Sequence, residues 1–171
     1  MEMTNVLVGM IQFVNLFSAA LVAGGQVCVL LVIVPTKRQF PTRMSVEVHN
    51  AMLGHQIDYY MKPSGITSLL TAIAIVLLGL PLVGLISLPD VSLALYCLGM
   101  LGTVGVIICS RFFNVKTNAM MAKWDLDNVP DNYPEVRRKW DLVHTIRASC
   151  GVTAFTGYVL ATLTLAWVSI T

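Results

Sequence analysis

Long uncharged stretches divide the chain and indicate its architecture. Four of them are predominantly apolar and contain no Asp, Glu, Lys or Arg: between Glu2 and Lys37, between Lys62 and Asp90, between Asp90 and Arg111, and after Arg147. A helix that crosses a bilayer needs about 20 predominantly apolar residues. The pattern therefore predicts four spanning helices, at about residues 5–34, 64–80, 90–122 and 135–168.

Proline residues mark the predicted ends of these helices. We expect Pro35 to end the first helix and Pro63 to precede the second, because proline lacks the N–H group that a helix interior needs. The Asp-, Asn- and Pro-rich stretch from Trp124 to Pro134 predicts a loop before the fourth helix.

The segment at about 42–60, between the first two predicted helices, shows helical periodicity without a continuous apolar run. One face combines apolar side chains with a histidine: Val46, His49, Met52, Leu53, Gln56 and Tyr60. The other face carries Glu47, Gly54 and Asp58. This pattern predicts an amphipathic helix at the membrane surface or folded beneath the bundle, with His49 directed toward the bundle.

Composition supports a membrane protein. The 171 residues are 56% hydrophobic and 12% charged, whereas soluble domains contain roughly 25% charged residues. We expect one all-α domain over residues 1–171, an integral membrane four-helix bundle in which Gly99, Gly102 and Gly105 allow close helix approach. The apolar composition makes the lipid bilayer the expected surrounding of the protein. The net charge of +2 gives no indication of nucleic-acid binding.

The basic residues indicate the orientation in the membrane. All 11 fall in the first connection or in and beside the third: Lys37, Arg38, Arg43, Lys62, Arg111, Lys116, Lys123, Arg137, Arg138, Lys139 and Arg147. Because cytoplasmic connections are enriched in Lys and Arg, we expect both connections in the cytoplasm and both termini on the non-cytoplasmic side. The bacterial inner (cytoplasmic) membrane is the simplest host, since no sorting signal indicates another.

Polar residues recur at helical spacing near the cytoplasmic ends of the last two predicted helices. Two helix faces carry them: Arg111, Asn114 and Asn118 on the third helix, and Trp140, His144 and Arg147 on the fourth. Because the third connection joins these helices, both faces lie at the same depth. We therefore expect a polar cluster, joined by His49, just below the membrane surface.

Each residue of this cluster also has a structural interpretation. Arginines at helix ends reach the lipid headgroups, and asparagines hold helices together. A single histidine near the interface is commonly a hydrogen-bonded structural residue. Aromatic residues there are usually anchors: Tyr59, Trp124, Tyr133 and Trp140. Buried ionisable groups in membranes are nevertheless candidates for function, which keeps His144 in the predicted site.

Metal binding is a separate hypothesis. His55 and Asp58 are spaced i, i+3, but the helical wheel places them away from His49. The sequence contains no HExxH motif and no ExxH pair of the di-iron type. A site formed by His49, His144 and a carboxylate stays open, so no cofactor is assigned.

Two segments resemble a known family. The stretches FFNVKTNAMMAKWD and VRRKWDLVHTIRASCG, separated by a Pro/Asp loop, are similar to the third-to-fourth helix region of the anthrone oxygenase-like family of small four-helix membrane proteins. The family pattern of two Asn, a Trp, a His or Asn, and an Arg corresponds here to Asn114, Asn118, Trp140, His144 and Arg147. The Gly-rich first helix ending in Pro35 and the Lys-Pro pair before the second are also similar.

The resemblance implies the oxidation of an anthrone, a tricyclic hydroxyaromatic, to a quinone by O₂. His144 would remove the acidic carbon-bound proton, and Arg147 with the Asn amides would stabilise the oxyanion. The implied substrate is apolar and arrives through the membrane.

Two other functions stay open. A non-catalytic subunit or scaffold that packs against a larger complex would use the same polar residues to hold helices together. A small transporter would require a homo-oligomer, and the lack of charges at mid-membrane argues against an ion pathway. Association with a copy of itself or with a partner membrane protein is left open.

Overall fold

The protein is helical throughout most of the part that the structure describes. A computed structural model describes residues 2–53, 56–79, 86 and 88–168. Its helices are α1 (Glu2–Cys28), α2 (Val34–Lys37), α3 (Thr42–Leu53), α4 (Gln56–Gly79), α5 (Asp90–Cys109), α6 (Val115–Met121) and α7 (Tyr133–Val168). Two π-helical turns, Val29–Ile33 and Ser110–Asn114, connect α1 to α2 and α5 to α6.

Among the described residues, four helical stretches are long and apolar enough to cross a membrane. We call them the first to fourth spans: Met3–Lys37, Met61–Gly79, Asp90–Met121 and Tyr133–Trp167. Large apolar side chains are exposed on every span, among them Phe13, Leu70, Leu101 and Leu163. Apolar surface of this extent is stable only against lipid. The predicted all-α integral membrane bundle is confirmed.

All four spans contribute to one core. Its buried residues include Ala19, Ile75, Tyr96 and Tyr158, one from each span in order. The third and fourth spans approach each other closely, because a Cβ atom on Gly102 would lie 2.7 Å from the carbonyl oxygen of Cys150. Only glycine permits this separation, which confirms the expected close approach at Gly102.

The first span continues past Pro35, where the sequence pattern predicts its end. In the π-helical turn Val29–Ile33 the backbone winds more widely, and the Val34 N–H bonds the carbonyl oxygen of Val29, five residues back. Pro35 then occupies the first turn of α2, where its missing N–H costs little. The helix therefore reaches Lys37, beyond the predicted end.

The second long helix begins earlier than the predicted residue 64. Pro63 lies inside α4, which starts at Gln56. A proline removes one backbone hydrogen bond and disfavours helix just before it, but it does not prevent a helix that other contacts support. The predicted amphipathic segment 42–60 accordingly divides into α3 and the first turns of α4. Gly54, His55 and the side chains of residues 53 and 56–60, Asp58 included, lie outside the described part.

Helix α3 lies beneath the bundle, against the connection between the third and fourth spans. Val46 packs with Tyr133, whose hydroxyl donates a hydrogen bond to Ser45 Oγ. Tyr133 is thus buried, and its predicted role as an interfacial anchor is wrong. His49 is directed inward, as the helical wheel predicts, whereas Met52 of the same predicted face is exposed.

Candidate functional site

The structure brings the six predicted site residues together at one end of the bundle. They come from α3, the third span and the fourth span: His49; Asn114 and Asn118; Trp140, His144 and Arg147. Five are buried and Asn118 is half-buried. Arg111 is exposed, because the π-helical turn changes the angular spacing between it and Asn114.

A series of hydrogen bonds connects four elements at the site. Lys37 Nζ lies 2.7 Å from His49 Nδ1, and His49 Nε2 lies 3.1 Å from Asn118 Oδ1. The indole N–H of Trp140 donates to the same Asn118 oxygen over 3.2 Å. The end of the first span, α3 and the last two spans are therefore held to each other by polar side chains.

The donors in this series of hydrogen bonds determine the tautomer of His49. An indole nitrogen only donates, so the Asn118 atom that faces it must be the amide oxygen. That oxygen cannot donate, so His49 Nε2 carries the proton. His49 Nδ1 is then the acceptor, and the Lys37 amine donates to it. His49 is thus a neutral imidazole with both ring nitrogens bonded.

The surroundings keep His49 uncharged. The pKa of His49 is lowered from the usual value near 6.5 to about 3. Burial is the largest cause, the Lys37 amine acts in the same direction, and the hydrogen bond with Asn118 opposes both. An imidazole in this environment does not accept a second proton at neutral pH. We infer that His49 is a fixed hydrogen-bonding element of the site.

Trp140 lies at the centre of the cluster. Its ring centroid is 3.9 Å from that of His144 and 5.1 Å from that of His49, and Lys37 Nζ lies 4.4 Å from its centre. The indole is 2% exposed, so its predicted role as an interfacial anchor is wrong. The flat indole ring thus contacts both histidines and constrains the orientation of each.

His144 differs from His49 in its hydrogen bonding. Its Nε2 atom lies 3.4 Å from Asn114 Nδ2, at the end of the π-helical turn. Its Nδ1 atom is buried and has no hydrogen-bond partner among the described residues. Such a group is costly in a folded protein and is commonly explained by a functional role. The geometry therefore leaves His144 available for a proton or a ligand.

An apolar cavity lies beside this cluster, and all four spans contribute to its wall. Its volume is about 190 Å³, and its wall includes Val22, Gln26, Gly65, Ile66, Thr103, Val106, Ile107 and Arg147. Arg147 belongs both to the cavity wall and to the helix face of Trp140 and His144. The cavity and the polar cluster therefore meet at the Arg147 side chain.

Sequence reasoning missed two buried polar residues of this region. In the sequence Lys37 contributes only to the prediction of membrane orientation, because Pro35 is expected to end the helix before it. The signal that could have found Lys37 is the helical periodicity of the first helix. If Pro35 is tolerated, the helix continues to Lys37 and the periodicity assigns this residue to a helix face. Gln26 is an uncharged polar residue within the first apolar stretch, and its place in the cavity wall depends on how all four spans pack.

The described residues contain no group of three or more His, Cys, Asp and Glu side chains that could hold a metal ion. His49 and His144 both contact the Trp140 ring. Asp141, next to Trp140 in the sequence, forms an ion pair of 2.9 Å with Arg38. His55 and the Asp58 side chain, the other predicted ligands, lie outside the described part.

Comparison with known proteins adds a family to this geometry. The family model for anthrone oxygenase matches residues 55–157, more than half of the chain. The matched range includes Asn114, Asn118, Trp140, His144 and Arg147 but begins after Lys37 and His49. No curated protein and no solved structure matches the chain. With the four-helix fold and the matched range together, the chain belongs to the anthrone oxygenase family.

Proposed function

We propose that the protein is a membrane-embedded oxidoreductase that oxidises an apolar aromatic or quinone-type substrate with O₂ at the cluster of His144 and Arg147. One observation carries the proposal: a buried histidine with a nitrogen lacking a described partner lies one helical turn from an arginine that lines an apolar cavity. Membership of the anthrone oxygenase family agrees with this reaction type.

The proposed reaction begins with removal of a proton. The neutral imidazole of His144 accepts the acidic proton from a ring carbon of an anthrone-type substrate, and the electron pair delocalises onto the substrate oxygen. Arg147 stabilises this oxyanion through its charge, and the Asn114 amide orients His144. Because the site is buried, the charge is exposed to little competing water.

O₂ is the oxidant in the second stage. The carbanion gives two electrons to O₂, a C–O bond forms, and the resulting peroxide anion takes up the proton held by His144. Loss of one water molecule from the hydroperoxide converts the ring carbon into a second carbonyl group. The balance is one anthrone and one O₂ giving one quinone and one H₂O, and it requires no external reductant.

The proposed location is the cytoplasmic side of the membrane. The end of the bundle that holds the cluster also carries the Lys- and Arg-rich connections, and such connections face the cytoplasm. Both termini then lie on the non-cytoplasmic side, and the bacterial inner membrane is the proposed host. The substrate reaches the site through the lipid.

The test is O₂ uptake and quinone formation by the purified protein with anthrone, measured above the uncatalysed rate. We expect His144→Ala to lower the protein-dependent rate by a factor on the order of 100, since a positioned general base contributes about that much. The exposed neighbour Thr145→Ala is the matched control and should keep the rate.

Uptake no faster than the uncatalysed rate, in a folded preparation, contradicts the proposal. A non-catalytic subunit would then be the better explanation, and it should co-purify with a stoichiometric membrane partner. If the wild type is active and His144→Ala has the same rate, the protein is an oxidoreductase but His144 is not its general base.

A further inference from the structure

The cavity among the four spans has a lateral opening. Ile66 of the second span and Ile107 of the third line it, and they are also exposed side chains, at 54% and 38%. A side chain that lies both in the cavity wall and on the lipid-facing surface marks an opening between helices. The cavity therefore communicates with the hydrocarbon region.

The inner wall contains an unused hydrogen-bond acceptor. Gln26 is fully buried, and its Nε2 donates to Met61 Sδ over 3.3 Å. A thioether only accepts, so the amide nitrogen and not the oxygen faces Met61. The Oε1 atom of Gln26 has no hydrogen-bond partner within the described part of the chain. A buried acceptor of this kind is normally satisfied by a donor.

The remaining wall fits a flat apolar group. Val22, Val106 and Ile107 provide aliphatic surface. The wall also carries three basic side chains, Lys62, Arg111 and Arg147, and Arg147 lies one helical turn from His144 in the sequence. The volume of about 190 Å³ exceeds the ~150 Å³ cavity that binds benzene in another protein. An aromatic ring system larger than benzene therefore fits, with a polar group at the inner end.

We propose that this cavity is a ligand site entered sideways from the bilayer, in which Gln26 Oε1 accepts a hydrogen bond from a ring hydroxyl. The rings contact the aliphatic wall, and an oxygen of the same ligand faces Arg147. The inference rests on the proposed function only in taking this ligand to be the substrate. Gln26 is then the residue that selects hydroxylated rings over unsubstituted ones.

The first test measures the selectivity without turnover. Equilibrium binding of 1-naphthol and of naphthalene is measured under argon with protein in lipid nanodiscs, and protein-free nanodiscs are subtracted. Wild type should bind 1-naphthol more tightly than naphthalene. Gln26→Met has a similar length and no acceptor oxygen, and it should reduce that preference by about three- to tenfold, the range expected for one buried hydrogen bond. An unchanged preference overturns the role of Gln26.

The second test blocks the cavity. A Cβ atom on Gly65 would meet only Val22 Cγ2, at 4.0 Å, so Gly65→Leu projects into the space without a backbone clash. Gly65→Leu should abolish binding of both probes, and the smaller Gly65→Ala should weaken it. The matched control is Gly24→Leu, where an added Cβ meets nothing within 4 Å, and binding should persist. Full binding by folded Gly65→Leu places the ligand elsewhere.

These outcomes separate the inference from the proposed function. Selective binding that depends on Gln26 and Gly65, without any oxidation of anthrone, supports the ligand site and contradicts the oxidoreductase. Oxidation of anthrone that continues at full rate in Gly65→Leu supports the oxidoreductase and contradicts the ligand site.

Discussion

Lys37 Nζ lies 2.7 Å from Nδ1 of His49, and both side chains are buried. The two residues belong to different helices, because Lys37 ends the first span and His49 lies in the middle of α3. A neutral imidazole accepts this hydrogen bond, and a protonated one would place two positive charges at that distance. The contact therefore couples the position of α3 to the protonation of one histidine.

Removal of the Lys37 amine should raise the pKa of His49. Lys37→Met keeps an unbranched side chain but removes both the charge and the donor. Burial is the larger cause of the depressed value and stays in place, so the pKa should rise while remaining below 6.5. The measurement is a ¹⁵N-detected NMR titration of His49, with the exposed Lys116→Met as control. An unchanged or lower pKa would contradict the contact.

Acidification should destabilise the fold through His49. The groups that face this ring are Lys37 from α2, Asn118 from the third span, and Trp140 from the fourth. The unfolded chain binds a proton at this histidine below about pH 6.5, whereas the folded one does so only near pH 3. The contribution to stability is therefore present above pH 6.5 and is lost progressively as the pH falls toward 3.

Thermal unfolding in detergent at pH 7 and pH 5 tests this dependence. The midpoint should fall more on acidification in wild type than in His49→Gln, which removes the titrating group and keeps hydrogen-bonding capacity. Equal decreases in the two proteins would show that other groups govern the acid sensitivity.

Trp140 should stabilise the site through both its N–H group and its ring. Trp140→Phe leaves Asn118 Oδ1 with one donor fewer and should lower the free energy of unfolding by about 1 kcal/mol. Trp140→Ala also removes the ring that contacts both histidines and should cost about 3–5 kcal/mol. Chemical denaturation measures both values, and equal losses would mean that the ring packing contributes little.

Asn114 should affect turnover more than substrate binding. Asn114→Leu removes the amide beside His144 Nε2 and leaves the cavity wall unchanged. If the proposed reaction is correct, kcat should fall by at least tenfold while KM changes little, because the imidazole loses its orientation. The exposed neighbour Phe113→Leu is the control. A larger effect on KM would assign Asn114 to substrate binding.

Two glycines of the third span should respond differently to alanine. At Gly102 the added Cβ would lie 2.7 Å from the backbone oxygen of Cys150, and at Gly105 it would lie 2.8 Å from the Cys150 Sγ atom. A backbone cannot yield, whereas a thiol side chain can rotate away. Gly102→Ala should therefore destabilise by about 1–3 kcal/mol and Gly105→Ala by much less, as measured by chemical denaturation.

The sequence is sufficient to predict the four spans and the helix face of the fourth span that contributes to the site. Charge-free runs predict the four helices, and helical spacing brings Trp140, His144 and Arg147 to one face. The first span could not be followed to Lys37, since local rules treat Pro35 as a helix end. A wide turn that tolerates proline depends on packing, which no single-sequence pattern contains.

The other residues that the sequence does not place correctly also depend on packing between helices. Tyr133 and Trp140 have the composition of interfacial anchors, but the connection and α3 fold over them. Gln26 is one of several uncharged polar residues of the first span, and only the relative position of the four spans places it in the cavity wall. The reaction itself came from the family pattern, because no spacing of these residues specifies O₂ chemistry.

The two π-helical turns affect how this chain should be aligned with its relatives. Each turn holds one residue more than an α-helical turn, so it rotates everything that follows by about 100° around the helix axis. A relative with regular helices would need a one-residue gap within 29–33 and another within 110–114 to bring its Lys37 and Asn118 equivalents inward. Gapless alignments across these turns would pair buried positions of one protein with lipid-facing positions of the other.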